Sequence, residues 1–350
     1  MTKQFRKIAT EEAFAIPEQM EAMRELVRKS DRYDPDLFLW DFMARGGELT
    51  QRLLDLEGER LRIMDEAGID VQLLALTSTG VQMLDAERGT VLAKLANDRL
   101  AELIRKHPRR FAGLCTIAPQ DPAAAAREIE RSITALKLNG VMINSHTHGE
   151  YLDDPKFLPI LEAAVALDVP IYIHPRSPAP WMAAAYRDYH LEHAIWGYAV
   201  EVGLHAVRLI MSGVFDRLPT LRIVIGHMGE NVPYGLYRMD WMHAMTSRTG
   251  MMTRPVLQMK PSEYFKRNFA ITTSGVNWEP ALLMCLQVLG ADNILWAVDY
   301  PYQETLEATE WLCAAAIADA DKEKLFHANA ERIFKIPAAA PAKLSGGSIT

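Results

Sequence analysis

Cysteine is scarce: Cys115, Cys285 and Cys313 are the only three in 350 residues, an odd number without CxxC spacing. That argues against a disulfide scaffold or a Cys-ligated zinc site, and free buried thiols in a reducing compartment are expected. Long apolar runs are missing too, since no stretch approaches the roughly 18 uninterrupted apolar residues of a membrane helix. The N-terminal "MTKQFRKIAT" carries charge with no apolar run behind it, unlike a signal peptide. Positive charge is not concentrated. Lys and Arg number 38 against 45 Asp and Glu, a net charge of -7, whereas a nucleic-acid surface needs clustered basic residues. The one basic run, "RKHPRR" at 105–110, reads as the solvated C-terminal end of a helix, where cations are favoured. A cytoplasmic protein is expected, with neither a membrane nor a nucleic acid as partner.

What the chain does have is a 49% hydrophobic composition, enough for one large core. Short runs rich in β-branched residues predict strands at 7–10, 71–76, 111–117, 140–143, 170–173, 221–225, 269–272 and 294–297. Amphipathic segments such as "VLAKLANDRLAELIRKH" and "KFLPILEAAVAL" lie between them. Apolar strands alternating with helices predict a parallel sheet covered on both faces. Eight such units predict a (β/α)8 TIM-type barrel over residues 1–336, ahead of a doubly wound open sheet. The tail 337–350, "PAAAPAKLSGGSIT", has no periodic pattern and is expected to be flexible. Two connections are unusually long, 16–58 after strand one and "RSPAPWMAAAYRDYHLEHAIWG" after strand five. Both are expected over the barrel mouth.

Barrel enzymes keep their chemistry at the C-terminal ends of the strands. Those ends carry Glu11 after strand one, His174 after "VPIYI", His227 after "LRIVIG" and Asp299 after "NILWAV". One such residue has a bland explanation, a helix cap or a hydrogen-bonded core histidine. Four delivered to one rim predict a shared metal site. Carboxylates with few imidazoles form a hard donor set, suited to one Mn²⁺, with Mg²⁺, Fe²⁺ or Zn²⁺ as alternatives.

The stretches "ATEEAFAIPE", "YIHP", "VIGHMGE" followed by "YRMD", and "WAVDYPY" together resemble the decarboxylase branch of the amidohydrolase superfamily, from about residue 5 to 336. Many relatives of that superfamily end strand one in His-x-His; here the positions read Glu11-Glu12-Ala13. The E-E-A-F version is similar to the manganese-dependent 5-carboxyvanillate decarboxylases, whereas γ-resorcylate-type enzymes read E-E-H-F. The resemblance implies that Glu11, His174 and Asp299 ligate the metal, that His227 stands beside it, and that Arg238 holds a substrate carboxylate. Strand four ends in Asn144, Ser145 and His146, with no lysine to support a second metal.

The expected reaction is non-oxidative decarboxylation of an ortho-hydroxylated aromatic acid. 5-Carboxyvanillate going to vanillate is the first choice, and 2,6- or 2,3-dihydroxybenzoate the alternatives. Asp299 is nominated to protonate the ring carbon, with His227 and Glu230 relaying or setting its proton. Arg238 is either a carboxylate anchor or a surface ion pair with Asp240 or Asp216. Tyr302 either lines the ring pocket or packs the last loop, and Arg52 is a second candidate carboxylate contact. His146 and His148 are not expected as ligands; His190, His193 and His205 are expected at the surface or an interface. The aromatic insertion after strand five suggests a homodimer or homotetramer. The rival readings are a mononuclear metal-dependent hydrolase or hydratase on the same fold, and a binding protein that has lost its site.

Overall fold

The computed structural model describes residues 5–252 and 255–338. Eight strands form one parallel sheet in sequential order: β1 (Ile8–Phe14), β2 (Val71–Leu76), β3 (Phe111–Thr116), β4 (Gly140–Asn144), β5 (Ile171–His174), β6 (Ile223–Ile225), β7 (Phe269–Thr272) and β8 (Ile294–Leu295). The sheet closes on itself where Thr10 N–H donates to Trp296 O at 3.2 Å and Ala13 N–H to Tyr300 O at 2.7 Å. With helices between the strands, this is the expected (β/α)8 barrel. β8 is shorter than the expected 294–297 because the next two backbone N–H groups leave the ladder, Trp296 for Leu325 O at 2.9 Å and Ala297 for Thr273 Oγ1 at 3.1 Å. Most of the 337–350 tail lies outside the described residues.

Inside the barrel, Ile8, Val71, Leu73, Leu114, Met142 and Val224 pack together, and Ile333, Phe334 and Ile336 close the end opposite the mouth. Each fully buried aliphatic chain of this kind contributes about 1.5–3 kcal/mol. Among the described residues no helix is long and apolar enough to cross a membrane. Cys115 and Cys285 are buried as expected, but Cys313 is exposed on a surface helix.

One irregularity in β1 determines what faces the mouth. Ala9 pairs with Gln72, yet Glu12 pairs with Leu74, so three steps of β1 oppose two of β2. Side chains alternate along a strand, and the extra residue of a bulge inverts that alternation. Ile8 points into the barrel before the bulge; Glu11 and Ala13 do so after it.

After β1 come α1 (Pro17–Lys29), α2 (Pro35–Ala44) and α3 (Glu48–Leu54). Asp34 caps α2, accepting the N–H groups of Asp36 and Leu37 at 2.9 and 3.0 Å. This first insertion is clasped to the one after β5. The Arg176 guanidinium donates to Asp36 Oδ2 from Nε and Nη2 at 2.9 and 2.6 Å, and Ser177 N–H donates to Oδ1 at 3.1 Å. His193 Nε2 meets Pro35 O at 2.9 Å, and Tyr33 donates its hydroxyl to Glu192 at 3.0 Å. Because both ions of the Asp36–Arg176 pair are buried and multiply bonded, the clasp has one geometry.

Candidate active site

Glu11, His174 and Asp299 come together at the mouth from β1, β5 and the end of β8, each offering a ligand atom within 4.8 Å of the others. The two oxygens of Glu11 have different surroundings. Oε2 accepts Thr272 Oγ1 at 2.8 Å and the hydroxyls of Tyr172 and Ser274. Oε1 is buried without a hydrogen-bond partner among the described residues, and it faces His174 Nε2 at 3.5 Å and His227 Nε2 at 3.7 Å. A buried carboxylate oxygen left unpaired costs free energy unless something positive meets it. His174 Nδ1 meets Pro175 O at 2.8 Å, which fixes the proton there and leaves the Nε2 lone pair aimed inward. An orphaned carboxylate oxygen, an imidazole in the ligating tautomer and a second carboxylate fit a divalent cation.

Close backbone approach makes room for this arrangement. A Cβ at Gly226 would lie 2.8 Å from Glu11 Oε2 and 3.1 Å from Ser274 Oγ, so only glycine fits beneath the carboxylate. Ala13 stands on the inward face two residues beyond Glu11, where an imidazole stands in His-x-His relatives, and its methyl leaves that side of the site open.

His227 sits on a backbone of left-handed residues. The φ angles of residues 227 to 231 are 50°, 55°, 78°, 50° and 64°, a sequence that costs about 1–2 kcal/mol at each non-glycine position. The turn folds Glu230 back so that its Oε1 lies 2.7 Å from His227 Nδ1. On the other side His227 Nε2 faces Asp299 Oδ2 at 3.7 Å, an ion-pair distance and not a hydrogen bond. Asp299 is itself left-handed, with φ 76°.

The charges are interdependent. In the protein alone, burial would raise the Glu11 carboxyl, but His227 and His174, aided by Ser274 and Tyr172, outweigh it and hold its pKa below the ordinary value. For Asp299 burial prevails, helped by the Glu11 charge, and its pKa is raised despite the two imidazoles. Burial works against a charged His227, yet Glu230 and Glu11 reverse this and push its pKa well above the ordinary value. In the protein alone, Glu230 and Glu11 thus favour the charged form of His227, and burial favours the protonated form of Asp299.

A cavity of about 280 Å³ opens above these groups, lined by His174, His227, Asp299 and Tyr302 at its floor and by both insertions above. Leu39 and Leu49 come from the first insertion; Pro175, His193, Ala194 and Tyr198 come from the second. Tyr302 therefore lines the ring-sized space, its hydroxyl 2.5 Å from Thr77 Oγ1. Arg52 is not among the residues lining it; its guanidinium is held by Glu48 at 2.7 Å and Glu59 at 3.3 Å. Arg238 lies away from its own chain's cavity, on the exposed face of helix Val232–Thr249. The alternative surface ion pair for it is not formed either: Asp240 accepts from Ser262 and Asp216 from Tyr264.

Two histidines depart from expectation. His193 lines the cavity, because the insertion folds back over the mouth, and His205 is fully buried, because it sits on the inner side of helix Gly197–Met211 against Ser145, Tyr151 and Leu152. His146 is occupied by Ser177 O and Gly149 N–H, away from the metal-ligating group.

Sequence reasoning missed Glu12 and the hydroxyls around Glu11. Glu12 accepts the N–H groups of Val298 and Tyr300 at 3.0 and 3.2 Å, on either side of Asp299. Burial pushes its pKa up to about 8, against those two hydrogen bonds. Period-two spacing carried a signal for the hydroxyls: Tyr172 precedes His174 by two residues, and Thr272 precedes Ser274 by two, so each pair shares an inward face.

An amidohydrolase family model matches residues 33–336. γ-Resorcylate decarboxylase of Polaromonas is 37% identical over 339 residues, covering 94% of this chain and 98% of that protein. The crystal structure of 5-carboxyvanillate decarboxylase from Sphingomonas paucimobilis superposes with a TM-score of 0.92 at 48% identity, covering 95% of this chain and 100% of that one. A 5-carboxyvanillate decarboxylase from Novosphingobium aromaticivorans, solved with manganese and 4-hydroxy-3-methoxy-5-nitrobenzoic acid, is 43% identical with a TM-score of 0.92, covering 95% and 96% of the two chains. With a carboxylate–imidazole floor beneath a ring-sized cavity, and relatives of this kind along nearly its whole length, the chain belongs to the amidohydrolase family and is a carboxy-lyase of its decarboxylase branch.

Proposed function

We propose that the protein removes one carboxylate from an aromatic acid that carries a hydroxyl ortho to it. The leading reaction is 5-carboxyvanillate to vanillate and CO₂, with Mn²⁺ as the metal and Glu11, His174 and Asp299 as its ligands. The observation that carries this reading is the unpaired, buried Oε1 of Glu11, aimed with His174 Nε2 at the floor of an apolar, ring-sized cavity. When bound, the metal supplies a Lewis-acidic seat for the phenolic oxygen and the adjacent carboxylate.

The residues of the chain do the rest. Tyr302, Leu39 and Leu49 hold the ring and exclude water. Asp299 delivers a proton to the ring carbon bearing the carboxylate, giving a dienone-like ring; the C–COO⁻ bond then breaks, its electron pair restores the aromatic ring, and CO₂ leaves. His227, bonded to Glu230, returns a proton to Asp299. Losing CO₂ from an unprotonated ring would leave an unstabilised aryl anion, so prior protonation is the step the site must promote. A para carboxylate without a neighbouring hydroxyl lacks the second donor atom and stays in place.

Arg238 is retained as the anchor for such a distal carboxylate. Its exposed position means that it reaches a substrate only across an interface between copies, in keeping with a homodimer or homotetramer. Arg52 would first have to leave Glu48 and Glu59. γ-Resorcylate is the second reading, supported by the relatives that decarboxylate it. Ala13 favours the first. A screen of ortho-hydroxylated benzoates with the Mn²⁺-loaded protein, read by CO₂ release, tests the reading. Turnover of 5-carboxyvanillate is expected; activity on γ-resorcylate alone would move the substrate assignment, and net addition of water would refute decarboxylation.

A further inference from the structure

The proposed reaction gives no task to one hydroxyl in the cavity lining, that of Tyr198. Tyr198, half-buried, lines the same cavity as His174, Asp299 and Tyr302, and its hydroxyl has no hydrogen-bond partner among the described residues. Its ring is held in place from several sides. Residue 197 must be glycine, since a Cβ there would lie 2.4 Å from Glu192 O, and this tight turn starts the helix Gly197–Met211. Tyr198 N–H donates to His193 O at 3.2 Å, and the His193 ring meets the Tyr198 ring edge-on at 5.9 Å and 80°. His193 is itself tied to Pro35 O of the first insertion. Burial, followed by the nearby carboxylate of Asp36, keeps the phenol protonated and so a donor.

A positioned, protonated hydroxyl in the lining of a mainly apolar cavity is a hydrogen-bond donor available to an oxygen of whatever fills the space. We infer that Tyr198 is a specificity-determining residue, donating a hydrogen bond to a second oxygen substituent on the substrate ring, apart from the ortho hydroxyl–carboxylate pair. The inference rests on the proposed decarboxylation and adds to it the class of ring accepted: one bearing a further hydroxyl, alkoxy or carboxylate oxygen. Neither composition nor spacing pointed to Tyr198, because its place on the wall depends on how the insertion folds back.

The test is the Tyr198→Phe variant of the full chain loaded with Mn²⁺. Its kcat/KM is measured on 2-hydroxybenzoate and on 2-hydroxybenzoates carrying one more oxygen substituent at ring position 3, 5 or 6. One lost neutral hydrogen bond corresponds to about a three- to tenfold change. For at least one substituted acid, the ratio of its kcat/KM to that of 2-hydroxybenzoate is expected to fall by that factor, with metal content and Tm unchanged. Equal losses on every acid would make Tyr198 a packing residue and overturn the inference. If the wild type releases CO₂ from none of these acids and from 5-carboxyvanillate neither, the decarboxylase reading fails. The same ratio is then read from Kd values of the same acids, and a ratio unaltered by the variant overturns the inference independently.

Discussion

The two oxygens of Glu11 differ: Oε2 anchors the carboxylate to Tyr172, Thr272 and Ser274, and Oε1, without a hydrogen-bond partner among the described residues, is the atom proposed to meet a cation. Losing one of so few protein donors weakens metal binding directly. Glu11→Ala and His174→Ala are each expected to reduce metal per chain from about one toward zero, measured by elemental analysis after gel filtration; full occupancy in both would end the ligand assignment. A second residue-level consequence concerns His205, which accepts the Leu152 N–H at Nε2 and meets Ser145 Oγ at Nδ1. Burial pushes its pKa from 6.5 down to about 3. As pH falls through 6.5 the unfolded chain takes up the proton first, so stability is full above that value and is lost between about pH 6.5 and 3. The loss for one such group is at most about 1.4 kcal/mol per pH unit. His205→Asn is expected to show a shallower decline in unfolding free energy than the wild type between pH 7 and 5, measured in urea. An equal slope would contradict a neutral, buried imidazole.

At the scale of elements, the bulge in β1 is what separates two adjacent glutamates into different roles. Glu11 turns into the barrel, while Glu12 turns outward and secures the chain on both sides of Asp299. Removing Glu12 as Glu12→Ala orphans two buried N–H groups, at about 1–3 kcal/mol for each. The variant is expected to unfold at lower denaturant concentration and to lose kcat by more than KM changes, because Asp299 is no longer held; wild-type values for both would return Glu12 to a passive role. Much of this architecture was legible beforehand, because apolar runs mark β2 and β7 at their observed limits and the rim residues follow those runs directly. The bulge was not legible, since "TEEAF" reads alike with either glutamate inward until the pairing with β2 is known. Nor was the fate of Arg52, Arg238 or His193, whose positions depend on how long insertions and a helix pack over the mouth. Such contacts leave no periodic trace in sequence.

For the whole molecule, the Asp36–Arg176 clasp joins the two insertions into one roof, so the cavity walls come from segments about 140 residues apart in the chain. Outside that roof, helix Val232–Thr249 presents Tyr234, Tyr237 and Trp241 at 87%, 82% and 56% exposure, with Arg238 among them. Exposed aromatics flanking an arginine are the composition of a protein interface. Arg238→Met is expected to lower kcat/KM by about ten- to hundredfold on an acid with a distal carboxylate, the scale of a charge-assisted hydrogen bond, while leaving metal content intact. An unchanged kcat/KM, or a strictly monomeric protein by light scattering, would remove Arg238 from substrate binding.

The central claim is that the chain protonates the ring carbon of an ortho-hydroxylated acid before CO₂ departs, and it is tested most directly by turnover in D₂O. The Mn²⁺-loaded protein is given 5-carboxyvanillate and, separately, its phenolic methyl ether, and the products are read by proton NMR. The expected result is vanillate with one deuterium on the carbon that lost CO₂, and no turnover of the ether, which offers neither the phenolate for the metal nor the dienone-like ring. Turnover of the ether at the parent rate, or product without deuterium at that carbon, would contradict the account.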